Sequence, residues 1–471
     1  MTNETPDNDV AATTSKRIPV AANTGAVAAV GLDLQEGKVI PRKQVFSWAL
    51  WDWATQPFNS VIITFVFSVY LTSSLFLPAG VTPDESGENA ILTSGLGWAV
   101  GAAGILIALL APVMGQRADA AGRRKLWLGL ATGALVITTA LMFFVEADYS
   151  FFWFGAALIA IGSVFSELAG VNYNAMLVQV STPKTVGRIS GLGWGFGYLG
   201  GIVALAIVIV MQQNGWFGIP TEDGLNIRVV ALGCAIWTVI FAIPIFLNVP
   251  EAPPGAGRAR VGFFASYREL GKDIARLFRE SRPTFWFLLA SAVFRDGLAG
   301  VFTFGAIIAA TVFGFSPMQV IIFGIAANLV AGVSTILAGR LDDRLGARTI
   351  ILWALGGLVV AGLVVFLARD LGTTVFWIFG LTLTLFVGPA QAASRSFLAR
   401  VTPAGREGEI FGLYATTGRA ASFLSPLAWA AGIAIFHSTA WGILGIVLIL
   451  AIGFVLMYFV KAGGRPERSA S

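Results

Sequence analysis

The sequence is poor in the residues on which most enzymes and secreted proteins depend. Its 471 residues include one cysteine, Cys234, and one histidine, His437. A lone cysteine cannot form an internal disulfide, and a lone histidine leaves little room for a histidine-based metal or nucleophilic site. Charged residues make up 12% of the chain, about half the share of roughly 25% that is usual in soluble domains. These shortages exclude a water-soluble globule, a disulfide scaffold and a disordered chain.

Apolar residues dominate the chain instead. They make up 56% of it, and the mean hydropathy is +0.78. They form twelve runs of about 20 residues or more, the length that crosses a membrane as a helix, in two groups of six. This pattern predicts an all-α, polytopic membrane protein. The predicted spans are Val45–Phe76, Ile91–Met114, Leu126–Val145, Phe151–Leu177, Ile189–Met211, Val229–Val249, Thr284–Phe313, Pro317–Ala338, Thr349–Ala368, Thr373–Ala399, Ile410–Ala434 and Thr439–Val460.

The runs divide the chain into five predicted parts. We expect a flexible cytosolic tail over 1–43, six-helix bundles over 44–249 and 284–460, a cytosolic linker over 250–283 and a second tail over 461–471. The first tail carries no signal-peptide pattern. The linker contains an amphipathic segment with a basic face, which would lie on the inner leaflet or tie the two bundles together in water.

Positive charge is concentrated on one side of the predicted spans. Of the 31 Lys and Arg residues, 26 fall in the tails, the linker and the loops on the side of the N-terminus. The opposite loops hold only Arg228 and Arg369. Because Lys and Arg are retained in the cytoplasm, both termini are predicted to be cytoplasmic. The Arg-, Ala- and Gly-rich composition points to a bacterial cell (inner) membrane.

A short motif recurs after the second and the eighth span. One copy begins at Gly115 and contains Asp119, and the other begins at Gly339 and contains Asp343. Both read Gly-x3-Asp-x2-Gly followed by arginine, 224 positions apart. Halves that repeat in this way are characteristic of transporters, so the two bundles are predicted to be copies of one unit.

Several stretches give the chain a family resemblance. They are Trp48–Ala54, Tyr173–Ala175, Ser190–Gly201, Asp296–Gly297, Gln391–Ser396 and Phe411–Tyr414. With the repeated loop motif, they resemble the major facilitator superfamily and, within it, the vacuole-effluxer-like family related to the amino-acid effluxer of fungal vacuoles. The resemblance runs from about residue 45 to 460. It implies two bundles around a central cavity that opens to each side in turn. Trp51 and Arg295 depart from the family pattern, in which a tyrosine and an uncharged polar residue are expected.

Six ionisable side chains lie within the predicted spans, where each costs roughly 2.5–3.5 kcal/mol unless it is paired, hydrated or functional. Either they form structural ion pairs, or they line a polar pathway through the bundles. Asp52 and Asp296 are expected to be symmetry mates. With Glu167 they are the predicted sites of proton or ion coupling, because carboxyl groups exchange protons and arginine does not. The six are Asp52, Glu167, Arg295, Asp296, Arg395 and Arg419.

Arg395 is the candidate for binding an anionic substrate group, because its planar fork of donors matches a carboxylate. Together with the acids and with neutral hydrogen-bonding groups in the fourth and tenth spans, it would suit a zwitterion. The predicted substrate-binding residues are Arg395, Asn172, Tyr173, Asn174, Gln391, Ser394 and Trp51.

The repeated loop motif is the predicted gate. Its aspartates can accept hydrogen bonds from a neighbouring helix N-terminus, where the helix dipole is positive. Its arginines can pair with acids across the bundle, and these contacts would latch the outward-open state. The alternative is that the arginines only fix the topology. The predicted gating residues are Gly115, Asp119, Arg123, Gly339, Asp343 and Arg348.

The predicted function is secondary active transport of a small polar organic solute, with amino acids as the first candidates and protons as a candidate coupling ion. No phosphate-binding Gly-x4-Gly-Lys-Ser/Thr loop is present, and we expect no cofactor, metal, catalytic residue or nucleic-acid partner. We expect a monomer in contact with membrane lipids. A multidrug or sugar carrier of the same fold, a non-transporting receptor, a lipid scramblase and a membrane-embedded enzyme are the alternatives.

Overall fold

The computed structural model describes residues 31–78, 80, 90–251 and 263–461. Most of the first predicted tail, the Pro- and Gly-rich start of the linker, and nearly all of the second tail therefore lie outside the described residues. Within the described ranges the secondary structure is helical, with no strand.

Twelve helices of the described ranges are long and apolar enough to cross a membrane. Each overlaps one of the twelve predicted spans, so the predicted all-α fold is confirmed. We call α1–α6 the first half and α7–α12 the second half. The helices are α1 (Arg42–Leu71), α2 (Gly95–Ala121), α3 (Arg124–Phe144), α4 (Tyr149–Val180), α5 (Val186–Gln213), α6 (Glu222–Asn248), α7 (Arg282–Thr311), α8 (Ile322–Leu345), α9 (Ala347–Leu367), α10 (Thr373–Val401), α11 (Glu407–Phe436) and α12 (Ala440–Phe459).

The linker between the halves contains one further helix, Phe263–Glu280. Its Tyr267 hydroxyl donates to the carbonyl of Leu109 in α2, at 3.2 Å, and its Leu277 is buried. The linker helix is therefore in contact with the bundle through part of its apolar face.

Several helices depart from regular winding, among them α1 and α11. In α1 a regular helix ends at Pro57, and residues Phe58–Phe65 continue as a π-helix, because proline removes a backbone donor and its ring disturbs the preceding turn. In α11 the helix Glu407–Ala421 stops, and a new helix begins at Leu424. Irregular backbone at membrane depth is tolerated where it lines a cavity or is buried in protein, and both breaks border the cavity described below.

The two halves pack through glycines. A Cβ atom on Gly191 of α5 would lie 2.6 Å from the carbonyl oxygen of Thr335 in α8, and one on Gly412 of α11 would lie 2.6 Å from that of Ala111 in α2. No side chain fits at these distances. The pairs α5–α8 and α2–α11 therefore approach as closely as small residues allow.

The core of the second half gives a stability prediction. Phe287 in α7 is 0% exposed, and its ring centroid lies 4.3 Å from that of Phe397 in α10. Phe287→Ala should lower the free energy of unfolding by about 3–5 kcal/mol, because it leaves a cavity between the two helices. Thermal unfolding in detergent measures the loss.

The neighbouring residue is the matched control. Trp286 is 46% exposed, so Trp286→Ala should change stability much less. Equal losses for the two variants would contradict the packing described here.

Candidate functional site

A cavity of about 460 Å³ lies between the two halves. Helices α1, α4 and α5 of the first half and α7, α10 and α11 of the second half line it. Its volume falls within the range of roughly 300–1,000 Å³ that is usual for small-molecule sites.

Most of the predicted substrate and coupling residues meet at this cavity. Two do not, because their side chains bond to their own helices. Asn172 donates to the carbonyl of Leu168 at 2.9 Å, and Ser394 donates to that of Ala390 at 2.6 Å. The predicted residues that line the cavity are Trp51, Asp52, Glu167, Tyr173, Asn174, Asp296, Gln391 and Arg395.

An ion pair between Asp52 and Arg395 joins α1 of the first half to α10 of the second half. The Arg395 Nη1 lies 3.3 Å from Asp52 Oδ2, which also accepts a hydrogen bond from the Tyr173 hydroxyl at 2.8 Å. Arg395 also donates to Asn174 Oδ1 at 2.9 Å and to the hydroxyl and carbonyl of Ser190 at 3.1 and 2.7 Å. Four of the five guanidinium donors therefore have protein partners.

Aromatic rings and a glycine shape the surroundings of this pair. The Tyr173 ring stacks between those of Trp48 and Trp51, with centroids 4.5 and 4.4 Å away, and the Arg395 guanidinium lies 5.0 Å from the Trp48 ring. A Cβ atom on Gly193 would lie 2.8 Å from Arg395 Nη2, so only glycine leaves room for the ion pair there. Dense hydrogen bonding and cation–π contact offset the cost of burying the charges.

Arg295, which is not among the predicted site residues, also lines the cavity. Its guanidinium stacks on Tyr414, 3.8 Å from the ring centroid, and Nη1 donates to the Tyr414 carbonyl at 2.7 Å. Among the described residues no carboxylate lies within 4 Å of it, not even that of the adjacent Asp296. Arg295 thus uses one of its five donors, whereas Arg395 uses four. Its departure from the family pattern was the sequence signal that could have identified it.

The other two predicted coupling acids have different surroundings. Asp296 is 6% exposed, and its Oδ2 accepts from the backbone N–H of Ser425 at 2.5 Å. Ser425 lies in the first turn of the second segment of α11, where the helix dipole favours a negative group. Glu167 pairs with Arg419 across the cavity at 3.0 Å, and both side chains are partly exposed.

Asp119 and Asp343 make equivalent contacts in the two halves. Asp119 accepts from the backbone N–H groups of Gly408 and Glu409, both at 3.0 Å, at the start of α11. Asp343 accepts from those of Gly187 and Arg188 at the start of α5, at 2.7 and 2.9 Å. We call the end of the molecule where these contacts lie the gated end, after the role predicted for the motif. At this end two helix N-termini are each held by a carboxylate from the other half.

Ion pairs reinforce each of these contacts. Arg124 pairs with Asp119 at 2.6 Å and with Glu407 of the second half at 2.5 Å. Arg400 pairs with Asp342 at 2.5 Å and reaches Asp343 at 3.5 Å, and Asp342 also bonds to the Ser396 hydroxyl.

The two arginines predicted for the gate lie elsewhere. Arg123 is exposed. Arg348 donates to the carbonyls of Val460 and Tyr458, both at 2.6 Å, and so caps the end of α12. The motif therefore identified the two aspartates that contact helix N-termini, but the arginines that pair with them are Arg124 and Arg400, and not Arg123 and Arg348.

The predicted gate glycines lie at close contacts between the halves. A Cβ atom on Gly115 would collide with the carbonyl group of Gly408, and one on Gly339 would lie 2.7 Å from the carbonyl oxygen of Gly187. Larger side chains there would separate the helices that meet at the gated end.

A double-mutant cycle tests whether the buried ion pair joins the halves. Asp52→Asn or Arg395→Gln alone should each lower the free energy of unfolding by about 3–5 kcal/mol, because a buried charge loses its partner. The double variant should lose much less than the sum. Thermal or denaturant unfolding in detergent measures both.

Glu167→Gln with Arg419→Gln is the control cycle. Because this pair is partly exposed, its coupling should not exceed about 1 kcal/mol. Strict additivity for Asp52 and Arg395 would show that the pair does not stabilise the interface.

Comparisons with known proteins agree with this architecture. Residues 98–467 match the family described as "Vacuole effluxer Atg22 like". An uncharacterized MFS-type transporter of Bacillus subtilis (strain 168), YxiO, is 28% identical over 436 residues, which cover 91% of this chain and 96% of that one. Autophagy-related protein 22 of Cryptococcus neoformans var. neoformans serotype D is 27% identical over 268 residues, or 52% of this chain and 45% of that protein.

Solved structures share the fold at low sequence identity. The proton:xylose symporter XylE, bound to 6-bromo-6-deoxy-D-glucose, superposes with a TM-score of 0.69 at 12% identity, covering 89% of this chain and 95% of that one. The human organic anion transporter MFSD10 gives 0.69 at 15% identity, covering 88% and 99%. The chain therefore belongs to the vacuole effluxer Atg22-like family of major facilitator superfamily transporters.

Proposed function

We propose that the protein is a secondary active transporter that carries small carboxylate-bearing solutes, with amino acids first among them, through the central cavity by alternating access. The observation that carries the proposal is the difference between the two arginines of the cavity. Arg395 has nearly all of its donors engaged, whereas Arg295 faces the cavity with four donors that have no partner among the described residues. A substrate carboxylate bound at Arg295 would accept hydrogen bonds from these donors.

The Asp52–Arg395 ion pair is the proposed site at which proton binding is coupled to substrate binding. Asp52 is 22% exposed and lines the cavity, so a proton can reach it, and Arg395 keeps its charge at any physiological pH. Protonation of Asp52 would leave Arg395 without its counter-charge and weaken the bond between the halves. With the substrate carboxylate at Arg295 and Asp52 protonated, the halves could then separate, so proton binding and substrate binding would act on the same cavity.

The gated end supplies the other half of the proposed cycle. If the positive-inside rule holds for this chain, the gated end and both termini are cytoplasmic and the structure is closed toward the cytoplasm. Transport would then require Asp119 and Asp343 to leave the helix N-termini that they hold. We place the protein in the cell membrane as a monomer.

Uptake by proteoliposomes tests the function. The wild-type protein should accumulate labelled amino acids when a proton gradient is imposed. Arg295→Gln should lower the flux at least tenfold, because the loss of a charge-assisted hydrogen bond costs about 1.5–3 kcal/mol. The wild type should also be inhibited less by leucinamide than by leucine, and Arg295→Gln should lose this preference.

Arg344→Gln is the matched control, since Arg344 is an exposed arginine at the end of α8 and should leave the flux unchanged. Asp52→Asn should retain exchange of solute but lose its dependence on the gradient. Unchanged flux in Arg295→Gln would contradict the assignment of the carboxylate site. Folded protein that moves no amino acid would contradict the proposed substrate class and direct the search to sugars and other organic anions.

A further inference from the structure

A second cavity, of about 550 Å³, lies at the gated end between α1, α5 and α8. Four cations among the described residues line it: Lys38 in the segment before α1, Arg42 at the start of α1, Arg188 at the start of α5, and Arg340 in α8. No carboxylate is among its described lining residues. In the part of the chain that the structure describes, none of the four lies within 4 Å of a carboxylate.

The convergence of four like charges creates a strongly positive site. Asp343, which accepts from the backbone N–H of the lining residue Arg188, is also engaged by the backbone N–H of Gly187 and by Arg400. Charges of one sign around a cavity focus the potential and attract a counter-ion. The cavity therefore suits an anion.

Apolar side chains in the wall of this cavity indicate which kind of anion it would bind. Four residues from each arginine, toward the middle of the same helix, the cavity wall carries an apolar side chain. Four residues correspond to about 6 Å along a helix. The pairs are Arg42 with Phe46, Arg188 with Leu192, and Arg340 with Ile336. A ligand that is charged at the membrane surface and apolar one helical turn deeper matches this wall, and a free phosphate does not.

We propose that this cavity binds the head group of an anionic phospholipid, with an acyl chain against its apolar wall. Arg188 belongs to the first half and Arg340 to the second half, and they line one cavity while the gated end is closed. A lipid held by both therefore favours the closed gate, since a ligand shifts a protein toward the state that it binds better. This second effect rests on the proposed alternating access, whereas the lipid site itself does not.

Native mass spectrometry of the purified full-length protein tests the site. Phosphatidylglycerol should bind at least tenfold more tightly than phosphatidylcholine, because each cation near a lipid surface adds favourably to the attraction of an anionic head group. The triple variant Arg42→Gln, Arg188→Gln, Arg340→Gln should lose this preference. The matched triple variant Lys43→Gln, Lys184→Gln, Arg344→Gln removes the same charge from exposed positions near the same end and should keep it.

Two results would overturn the proposal. The first is an unchanged preference for phosphatidylglycerol in the triple variant, and the second is competition by glycerol 3-phosphate at the same concentration as the lipid, which would identify a soluble phosphate site. The three arginines are exposed, so the triple variant should fold, and the single variant Arg340→Gln provides the same comparison with a smaller effect. Because binding is measured without transport, a failure of the proposed transport function leaves this result intact.

Discussion

Charges buried within a membrane need partners, and in this protein the ion pair at the central cavity joins opposite halves. Asp52 and Arg395 neutralise each other at the central cavity. Tyr173 donates to Asp52, and Asn174 and Ser190 accept from three further guanidinium donors of Arg395. An interface built from such contacts differs from one built on apolar packing alone. It weakens when one charge is protonated or when another ion replaces it, so the contact that holds the halves together can also respond to a ligand.

The same principle operates at the gated end with different chemistry. Asp119 and Asp343 each hold the N-terminus of a helix from the other half. The free N–H groups of a helix N-terminus bind an anion without a dedicated side chain, and water can replace that anion when the helices separate. Because the motif occurs twice, the protein has two such contacts. At each contact the glycine that begins the motif, Gly115 or Gly339, allows the backbones of helices from the two halves to meet.

Sequence patterns were sufficient for the features set by hydrophobicity and repetition. The twelve spans followed from run length, and the contacts of Asp119 and Asp343 with helix N-termini followed from a motif that occurs twice. The cations that pair with these acids, Arg124 and Arg400, did not follow, because motif spacing does not show which way a side chain points. Arg348, the counterpart of Arg124 in the second half, caps α12 instead, and Arg400 in another helix takes its place.

Helix rotation explains the other differences at the site. Asn172 and Ser394 are adjacent in the sequence to residues that line the cavity, but each lies about 100° around the helix from its neighbour. Their side chains therefore bond to carbonyls of their own helices and do not line the cavity. The break in α11 gives Asp296 a helix N-terminus as its partner, and Pro426 in the first turn of the new helix was the signal that could have located it. Arg295 was visible only as an unusual residue, since the lack of a carboxylate partner is a property of the folded structure.

The distance between the halves at the gated end is the most direct test of alternating access. Spin labels at Lys184→Cys and Arg344→Cys, exposed residues of the first and second halves, would report it in a Cys234→Ser background in lipid nanodiscs. The unmodified gate should give one short distance. Asp119→Asn combined with Asp343→Asn should add a population at longer distance, and so should an amino-acid mixture added to the unmodified gate. A single unchanged distance under all of these conditions would contradict a gate held by the two aspartates.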